Sequence, residues 1–173
     1  MLNNPTRNTI NVNRYNFYPS FSFRVEMPYF SEIPNIDRKM QNYVKNVNIP
    51  EFSVDDVIIN LVNYEYKFPR LLFIREFSIE FYIDDENNVF NYFLTWYKNM
   101  FDTKTSIKKV KSFYEKQIIV YIYKDTGLQG IKYIFNNCYP KNFIKFDLDY
   151  NSDDRIISFP VNFVVNGNVV MEV

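Results

Sequence analysis

The 173-residue sequence contains no histidine, no alanine, one cysteine and three glycines. The lack of histidine excludes an imidazole base, an imidazole metal ligand and a histidine-dependent catalytic triad. The single cysteine, Cys138, excludes an intrachain disulfide and a cysteine-cluster zinc site, and we expect it to act as a small buried hydrophobe. Three glycines are too few for a glycine-rich phosphate loop. The chain therefore lacks the residues of the commonest catalytic and metal sites.

The charge balance and the lack of long hydrophobic runs argue against further classes of protein. Lys plus Arg and Asp plus Glu each number 20, so the formal net charge is zero, which argues against tight non-specific nucleic-acid binding. The first residues lack the apolar core of a signal peptide. No stretch approaches the ~18 apolar residues of a membrane helix. These features predict a soluble protein of a reducing cytoplasm, without a membrane partner.

Aromatic side chains are abundant, with 18 Phe and 15 Tyr, and apolar residues make up 47% of the chain. That much ring surface predicts a folded core, and the length suits one domain. We expect a single domain over residues 1–173, with a polar N-terminal arm at 1–14 and a C-terminal tail at 166–173.

Alternation of apolar and polar residues predicts several strands. The clearest segments are FSFRVEM, FSIEFYID and RIISFPVNFVV. The inward positions predicted in the last two are Phe77, Ile79, Phe81, Ile83, Ile157, Phe159, Val161, Phe163 and Val165. Pro160 lacks a ladder donor and predicts an edge or a bulge in the last strand. Further strands are predicted in YVKNVNI, KQIIVYIYKD, IKYIF and FIKFDLDY.

One segment has helical rather than strand periodicity, at about residues 86–101. Its apolar stripe predicts a helix packed on a sheet, and Asp84 or Asp85 is placed to cap its first turn. The stripe comprises Val89, Phe90, Phe93, Trp96, Tyr97, Met100 and Phe101.

A long arm is predicted at about residues 54–71, where apolar residues have no single phase. Val57, Ile59 and Leu61 fall on one face, and Tyr64 and Tyr66 on the other. Such an arm carries more apolar surface than a solvated loop needs. We expect neighbouring subunits to bury its side chains, the candidate contact residues being Ile58, Ile59, Leu61, Tyr64, Tyr66 and Phe68.

Together the elements predict a mainly β fold. Its architecture is an antiparallel β-sandwich or barrel of two packed sheets, with one flanking helix and a protruding arm.

A possible calcium loop lies in FDLDYNSDDRIISF, where Asp147, Asp149 and Asn151 alternate. An EF-hand loop requires Gly at its sixth position and Glu at its twelfth. Counted from Asp147, these positions hold Ser152 and Ser158. The alternative is a metal-free turn, NSDD, between two strands. We therefore expect no bound metal.

Paired carboxylates could serve a glycosidase. The candidate pairs are Asp147 with Asp149, and Glu80 with Glu65. Alternation explains each of these positions as a solvated strand face, so we expect no enzymatic activity and no cofactor.

The loop TKTSIKKVK carries Lys104, Lys108, Lys109 and Lys111. These lysines could contact phosphate, be merely solvated, or pair with an acidic neighbour. Residues 51–100 contain nine acidic and four basic side chains, whereas residues 101–130 contain six basic and three acidic ones. Complementary regions within one chain favour self-association.

Two short motifs near the C-terminus carry a family resemblance. An aromatic-Pro-x-Asn turn precedes a strand that ends in Asp-aromatic-Asn-Ser, and the motif residues are Tyr139, Pro140, Asn142, Asp149, Asn151 and Ser152. With the strands, arm and helix before them, from about residue 21 to 165, they make the chain resemble tail tube proteins of contractile-tailed bacteriophages. Type VI secretion tubes and tail-like injection particles share that fold.

The resemblance implies a structural subunit of a viral tail tube, assembled in the host cytoplasm and carried in the virion. Copies would form hexameric rings that stack into a tube, with strands of neighbouring subunits closing one barrel and the arm reaching the adjacent ring. The implied partners are the tail sheath protein, baseplate and tail-terminator proteins, and DNA in the lumen through weak non-specific contact.

Two alternatives remain open. One is a tube-fold protein of the baseplate or tube terminus, and the other is a small-ligand-binding β-sandwich module. If DNA slides through the lumen, a basic wall would retard it. We therefore expect acidic side chains to outnumber basic ones on the lumen wall, with the four loop lysines on the outer wall or at subunit contacts.

Overall fold

The computed structural model of the chain describes residues 22–124, 126–142 and 157–173, without the side chains of residues 70–73. The polar N-terminal arm, the calcium-like segment and the motif residues Asp149, Asn151 and Ser152 lie outside these ranges. None of the helices in the described ranges is both long enough and apolar enough to span a membrane.

Nine strands and three helices are described. The strands are β1 Phe23–Glu26, β2 Val44–Asn48, β3 Ser53–Leu61, β4 Tyr64–Phe73, β5 Glu76–Tyr82, β6 Lys116–Tyr123, β7 Gln129–Pro140, β8 Ser158–Val165 and β9 Val169–Glu172. The helices are α1 Ile36–Met40, which continues into a 3-10 turn, α2 Asn88–Met100 and α3 Lys111–Tyr114. The mainly β class predicted from the sequence is confirmed.

Seven of the strands form one antiparallel sheet in the order β1-β6-β7-β8-β5-β2, with β9 paired to β7. Strands β3 and β4 form a separate two-stranded sheet. The strand order ends at β1 on one side and at β2 on the other, and β9 pairs with β7 alone in the described ranges. The predicted arm is the β3–β4 hairpin, slightly longer than expected.

The core lies between one face of the sheet and helix α2. Of the inward positions predicted by alternation, Ile83 is only partly buried and Ile157 is exposed. The others are buried, namely Phe77, Ile79, Phe81, Phe159, Val161, Phe163 and Val165. From the helix, Phe93 packs edge-on against Phe81 with ring centroids 5.1 Å apart, and Trp96 lies 5.8 Å from Phe163. Cys138 is buried as expected, and burial raises the pKa of its thiol to about 12.

Two buried aromatic residues of α2 form hydrogen bonds through their polar atoms. The Tyr92 hydroxyl donates to the Pro28 carbonyl at 2.7 Å, and the Trp96 indole N–H donates to the Tyr114 carbonyl at 2.8 Å. These bonds tie α2 to the loop after β1 and to the end of α3. They also satisfy two buried donors that would be costly to leave unpaired. Tyr92 is fully buried although it lies outside the predicted stripe.

Helix α2 begins with the cap predicted at Asp84. Its carboxylate accepts the backbone N–H groups of Asn88 and Val89, each at 3.0 Å. Partial burial acts to raise the pKa of Asp84, but these bonds and one from the Asn88 side chain outweigh burial, so the pKa lies below its ordinary value. The ionised form is therefore favoured in the folded state.

Replacing this cap should destabilise the fold in a pH-dependent way. We expect Asp84→Ala to lower the free energy of unfolding by about 0.5–2 kcal/mol at pH 7. Because the folded-state pKa is depressed, the wild-type contribution is complete above the unfolded value of about 3.9 and is lost as pH falls through the folded value. Urea titrations at pH 7 and pH 3 measure both effects. Asp85→Ala, at an exposed neighbour, is the control, and an equal loss in both variants would contradict the capping role.

The C-terminal tail contains strand β9, which the sequence did not predict. Strand β7 bends at Asn136 and Asn137, and Asn137 has a φ of 54°. Before the bend, β7 pairs with β9 at residues 132–135, and after the bend it pairs with β8 at residues 138–140. At Gly167 a Cβ atom would lie 2.7 Å from the Asn136 carbonyl oxygen, so glycine allows the two backbones to approach.

Candidate interaction surface

The β3–β4 hairpin presents an apolar face that the chain itself leaves uncovered. Antiparallel register pairs Val57 with Phe68, Ile59 with Tyr66, and Leu61 with Tyr64. Directly opposed residues lie on the same face of a sheet. We call this set, Val57, Ile59, Leu61, Tyr64, Tyr66 and Phe68, the hairpin apolar face. Each of the six is between 39% and 57% exposed.

The sequence-based assignment of Tyr64 and Tyr66 to the opposite face from Ile59 and Leu61 is wrong. The segment is not one continuous strand, because the two-residue turn at Val62 and Asn63 reverses the chain. That reversal brings the two tyrosines beside the β3 side chains. Their rings lie 4.9 Å apart, and Tyr66 in turn stacks on Phe68 at 6.0 Å.

The reverse face of the hairpin is mixed and largely polar. Ile58 lies there opposite Lys67, and Asn60 lies opposite Glu65. Lys67 and Glu65 form a salt bridge of 3.4 Å. Of the six contact residues predicted from the sequence, the structure brings five together on the apolar face and separates Ile58 from them, while Val57 joins the set.

The hairpin lacks support from the rest of the described fold. Strand β3 is nine residues long, so the hairpin extends about 30 Å. Its strands pair only with each other in the described ranges. A lone two-stranded ribbon is marginal in water, and a contiguous exposed apolar face marks an interaction site. Covering the apolar face with another molecule would stabilise the hairpin.

The second surface is the face of the sheet that points away from α2. It carries the alternate residues of β5 and β8, and its carboxylates are matched by cations. The salt bridges on this side of the sheet are Lys45–Glu80 at 2.9 Å, Lys141–Glu76 at 2.6 Å, Arg24–Glu26 at 3.1 Å and Lys132–Glu172 at 2.8 Å. We call it the polar sheet face.

Glu80 shows how these charges are held. Its carboxylate accepts hydrogen bonds from Lys45 and from the Ser158 hydroxyl, at 2.9 and 2.7 Å. Those bonds lower the pKa of Glu80, so its ionised form is favoured in the folded state. Glu65, proposed from the sequence as its possible catalytic partner, lies on the hairpin, and the structure does not bring the two together.

The aromatic-Pro-x-Asn turn has a structural role at the edge of β8. The Asn142 side-chain amide donates to the Pro160 carbonyl at 3.0 Å, and its oxygen accepts the Asn162 N–H at 2.6 Å. The described β7–β8 pairs end at Pro140 with Phe163, so Asn142 continues the ladder in place of a strand. The Pro160 carbonyl points toward Asn142, so the side on which Pro160 lacks an N–H also faces Asn142 and not β5. Strand β8 itself lies inside the sheet order, between β7 and β5. Tyr139 of the same turn packs edge-on against Tyr114 at 5.7 Å.

A shallow cleft lies beside the polar sheet face, lined by Asn48, Pro50, Glu76, Phe77, Ser78 and Asn162. Its volume is about 170 Å³, below the roughly 300–1,000 Å³ of small-ligand sites. In the described part of the chain, no three His, Cys, Asp or Glu side chains are grouped for a metal ion.

Comparison with known proteins agrees with this geometry. A family model described as phage tail tube protein matches residues 10–166. No curated protein matches the sequence.

Solved structures of contractile injection systems share the fold. A chain of the PVC sheath–tube complex in its extended state is 14% identical, with a TM-score of 0.63 and coverage of 96% of this chain and 99% of that one. A chain of the anti-feeding prophage tube-terminating cap is 12% identical, with a TM-score of 0.64 and coverage of 91% and 92%. A chain of the anti-feeding prophage baseplate is 10% identical, with a TM-score of 0.62 and coverage of 91% and 97%.

Proposed function

Because the chain belongs to the phage tail tube protein family, we propose that this structural tail component is the repeating subunit of the tube itself. Copies form hexameric rings, and the rings stack. The observation that carries this proposal is the hairpin apolar face, which is a long, unsupported surface on a chain whose core is already complete. In a homopolymer, a second copy of the same chain can cover this face.

Ring closure uses the strands at the two ends of the sheet order. Strands β1 and β2 lie at opposite ends of the strand order, and edge strands present unpaired backbone groups. Pairing of β1 of one copy with β2 of the next removes both edges and continues the sheet around the ring. The hairpin then reaches from one ring to the next, and Ile59, Leu61, Tyr64, Tyr66 and Phe68 form most of that contact, with Ile58 on its reverse side.

The polar sheet face lines the channel in this arrangement. Its cations are each bound to a carboxylate, so they offer few free charges to the phosphates of passing DNA. DNA contact is therefore weak and non-specific. The four salt bridges described on this face balance each other in charge, so the proposed excess of acidic over basic side chains on the wall has to come from residues outside these pairs. Lys104 and its neighbours lie outside the channel in this proposal.

The sheath protein, the baseplate and a tail terminator are the partners of this assembly, which forms in the host cytoplasm. Similar chains come from a sheath–tube complex, a terminating cap and a baseplate, so a terminator or initiator role is the second candidate.

Electron microscopy of the purified chain tests the proposal. We expect long tubes of stacked six-fold rings at high protein concentration. Isolated rings that cap one end of an added tube would indicate the terminator role. Monodisperse monomers at all concentrations would refute a self-assembling subunit. A reconstruction of the tube also decides the channel charge, since a clear excess of Lys and Arg on the inner wall would contradict the proposed wall.

A further inference from the structure

Hydrogen bonds hold the exposed lysine loop in a defined conformation. We call residues 102–113 the basic knob. The Asp102 carboxylate accepts the backbone N–H groups of Lys104 and Thr105 at 2.8 and 3.0 Å. The chain then returns, so that the Asp102 N–H donates to the Ile107 carbonyl at 2.9 Å. Lys109 donates its N–H to Met100 at the end of α2, also at 2.9 Å. A preorganised surface of this kind loses little entropy on binding.

The basic knob presents a mixture of cations and exposed apolar side chains. Lys104 and Lys109 form no salt bridge within the ranges that the structure describes. Between and beside the lysines, Ile107, Val110 and Phe113 are 65%, 66% and 57% exposed. Neither the core nor the sheet uses these groups. Such a cluster of apolar residues rimmed by charge is typical of a protein-binding surface.

The root of the hairpin has the complementary composition. Glu51, Asp55 and Asp56 are exposed there, beside the exposed apolar residues Val54 and Val57. The strand register shifts between Asp55 and Asp56, and a bulge of this kind twists the strand and redirects its side chains. Acidic and apolar groups therefore alternate on the root as basic and apolar groups do on the knob.

We propose that the basic knob of one copy receives the hairpin root of a neighbouring copy. The inference rests on the proposed stacking of copies and adds the surface on which the hairpin lands. The apolar groups supply contact area, and the matched charges fix the register of the contact and reject a misplaced hairpin. Because exposed charge pairs are screened within about 8–10 Å at 0.1–0.15 M salt, assembly should weaken as salt rises.

A charge exchange tests the contact. Variant A carries Lys104→Glu with Lys109→Glu, and variant B carries Asp55→Lys with Asp56→Lys. Each variant alone opposes like charges at every contact, so we expect its critical concentration for assembly to rise about 10–100-fold. In an equimolar mixture, the reversed knob of A meets the reversed root of B, and the basic knob of B meets the acidic root of A. We therefore expect the mixture to form tubes at close to the wild-type concentration.

The matched control is Arg38→Glu with Lys124→Glu, which changes the net charge as variant A does at exposed positions outside the knob. It should assemble like the wild type. Circular dichroism confirms that every variant is folded.

If A and B fail to rescue each other while the wild type forms tubes, the knob–root contact is wrong and the tube function stands. If A alone assembles normally but no longer binds a separate acidic tail protein, the knob serves that partner and the inference also falls. If the wild type itself forms no tubes, the proposed function fails first.

Discussion

Two charges placed on the hairpin apolar face will abolish tube formation and leave the subunit folded. The change is Ile59→Asp with Tyr66→Asp, a directly opposed pair. Full burial of one large apolar side chain is worth about 1.5–3 kcal/mol, and an unpaired charge in the contact adds a further penalty. A combined loss of roughly 4 kcal/mol lowers the association constant about 1,000-fold. Sedimentation and electron microscopy across a concentration series measure the loss.

The free subunit should tolerate the same change. Ile59 and Tyr66 lie on a hairpin that pairs with no other strand in the described ranges, so we expect the core to stay folded and the loss, about 1 kcal/mol from the opposed charges, to be confined to the hairpin. The control, Ile58→Asp with Asn60→Asp, adds the same charge to the reverse face of the same hairpin and should reduce assembly far less. Equal inhibition by both pairs would show that the face assignment is wrong. Normal tubes from the Ile59 and Tyr66 variant, or from a deletion of residues 60–67, would show that the hairpin does not join the rings.

Truncating Phe163 should produce the largest loss of stability. Its ring is fully buried and lies 5.2 Å from Phe77 and 5.8 Å from Trp96. Removing a buried aromatic ring typically costs about 3–5 kcal/mol, a large share of the ~5–15 kcal/mol stability of an ordinary domain. The sequence contains a single tryptophan, so Trp96 fluorescence during urea unfolding reports directly on the packing that Phe163 completes.

The matched control for this prediction is Val164→Ala on the same strand. Val164 points to the polar sheet face and is only partly buried, so we expect a cost of about 1 kcal/mol or less. A loss from Phe163→Ala no larger than that of the control would mean that the aromatic layer is not the main source of stability.

Burial was predicted most accurately from the sequence where one periodicity runs through a whole strand or helix. Strict alternation identified Phe77, Ile79 and Phe81 of β5 as buried, and the helical stripe identified Val89, Phe93 and Trp96 of α2. Both patterns reflect one face packed against a continuous core. The burial of Tyr92 was not predicted, because loops as well as the sheet cover α2. The Tyr92 hydroxyl donates to the Pro28 carbonyl in one of these loops.

Features that depend on distant segments were not predictable from local pattern. The phase of the hairpin was misjudged because a two-residue turn without glycine, Val62–Asn63, gives little signal of chain reversal. Strand β9 was missed because its pairing depends on the bend of β7 at Asn136 and Asn137. The role of Asn142 likewise became visible only when the fold placed its amide beside β8.

The separation of the hairpin from the core sheet affects how such a protein evolves. The exposed residues 54–69 of β3 and β4 lie outside the aromatic core, so under the proposed stacking selection would act on them through the fit between copies rather than through folding. Since the proposed projecting and receiving surfaces belong to one chain, a compensating change would appear in every copy at once. The two surfaces could then change together while the architecture is kept.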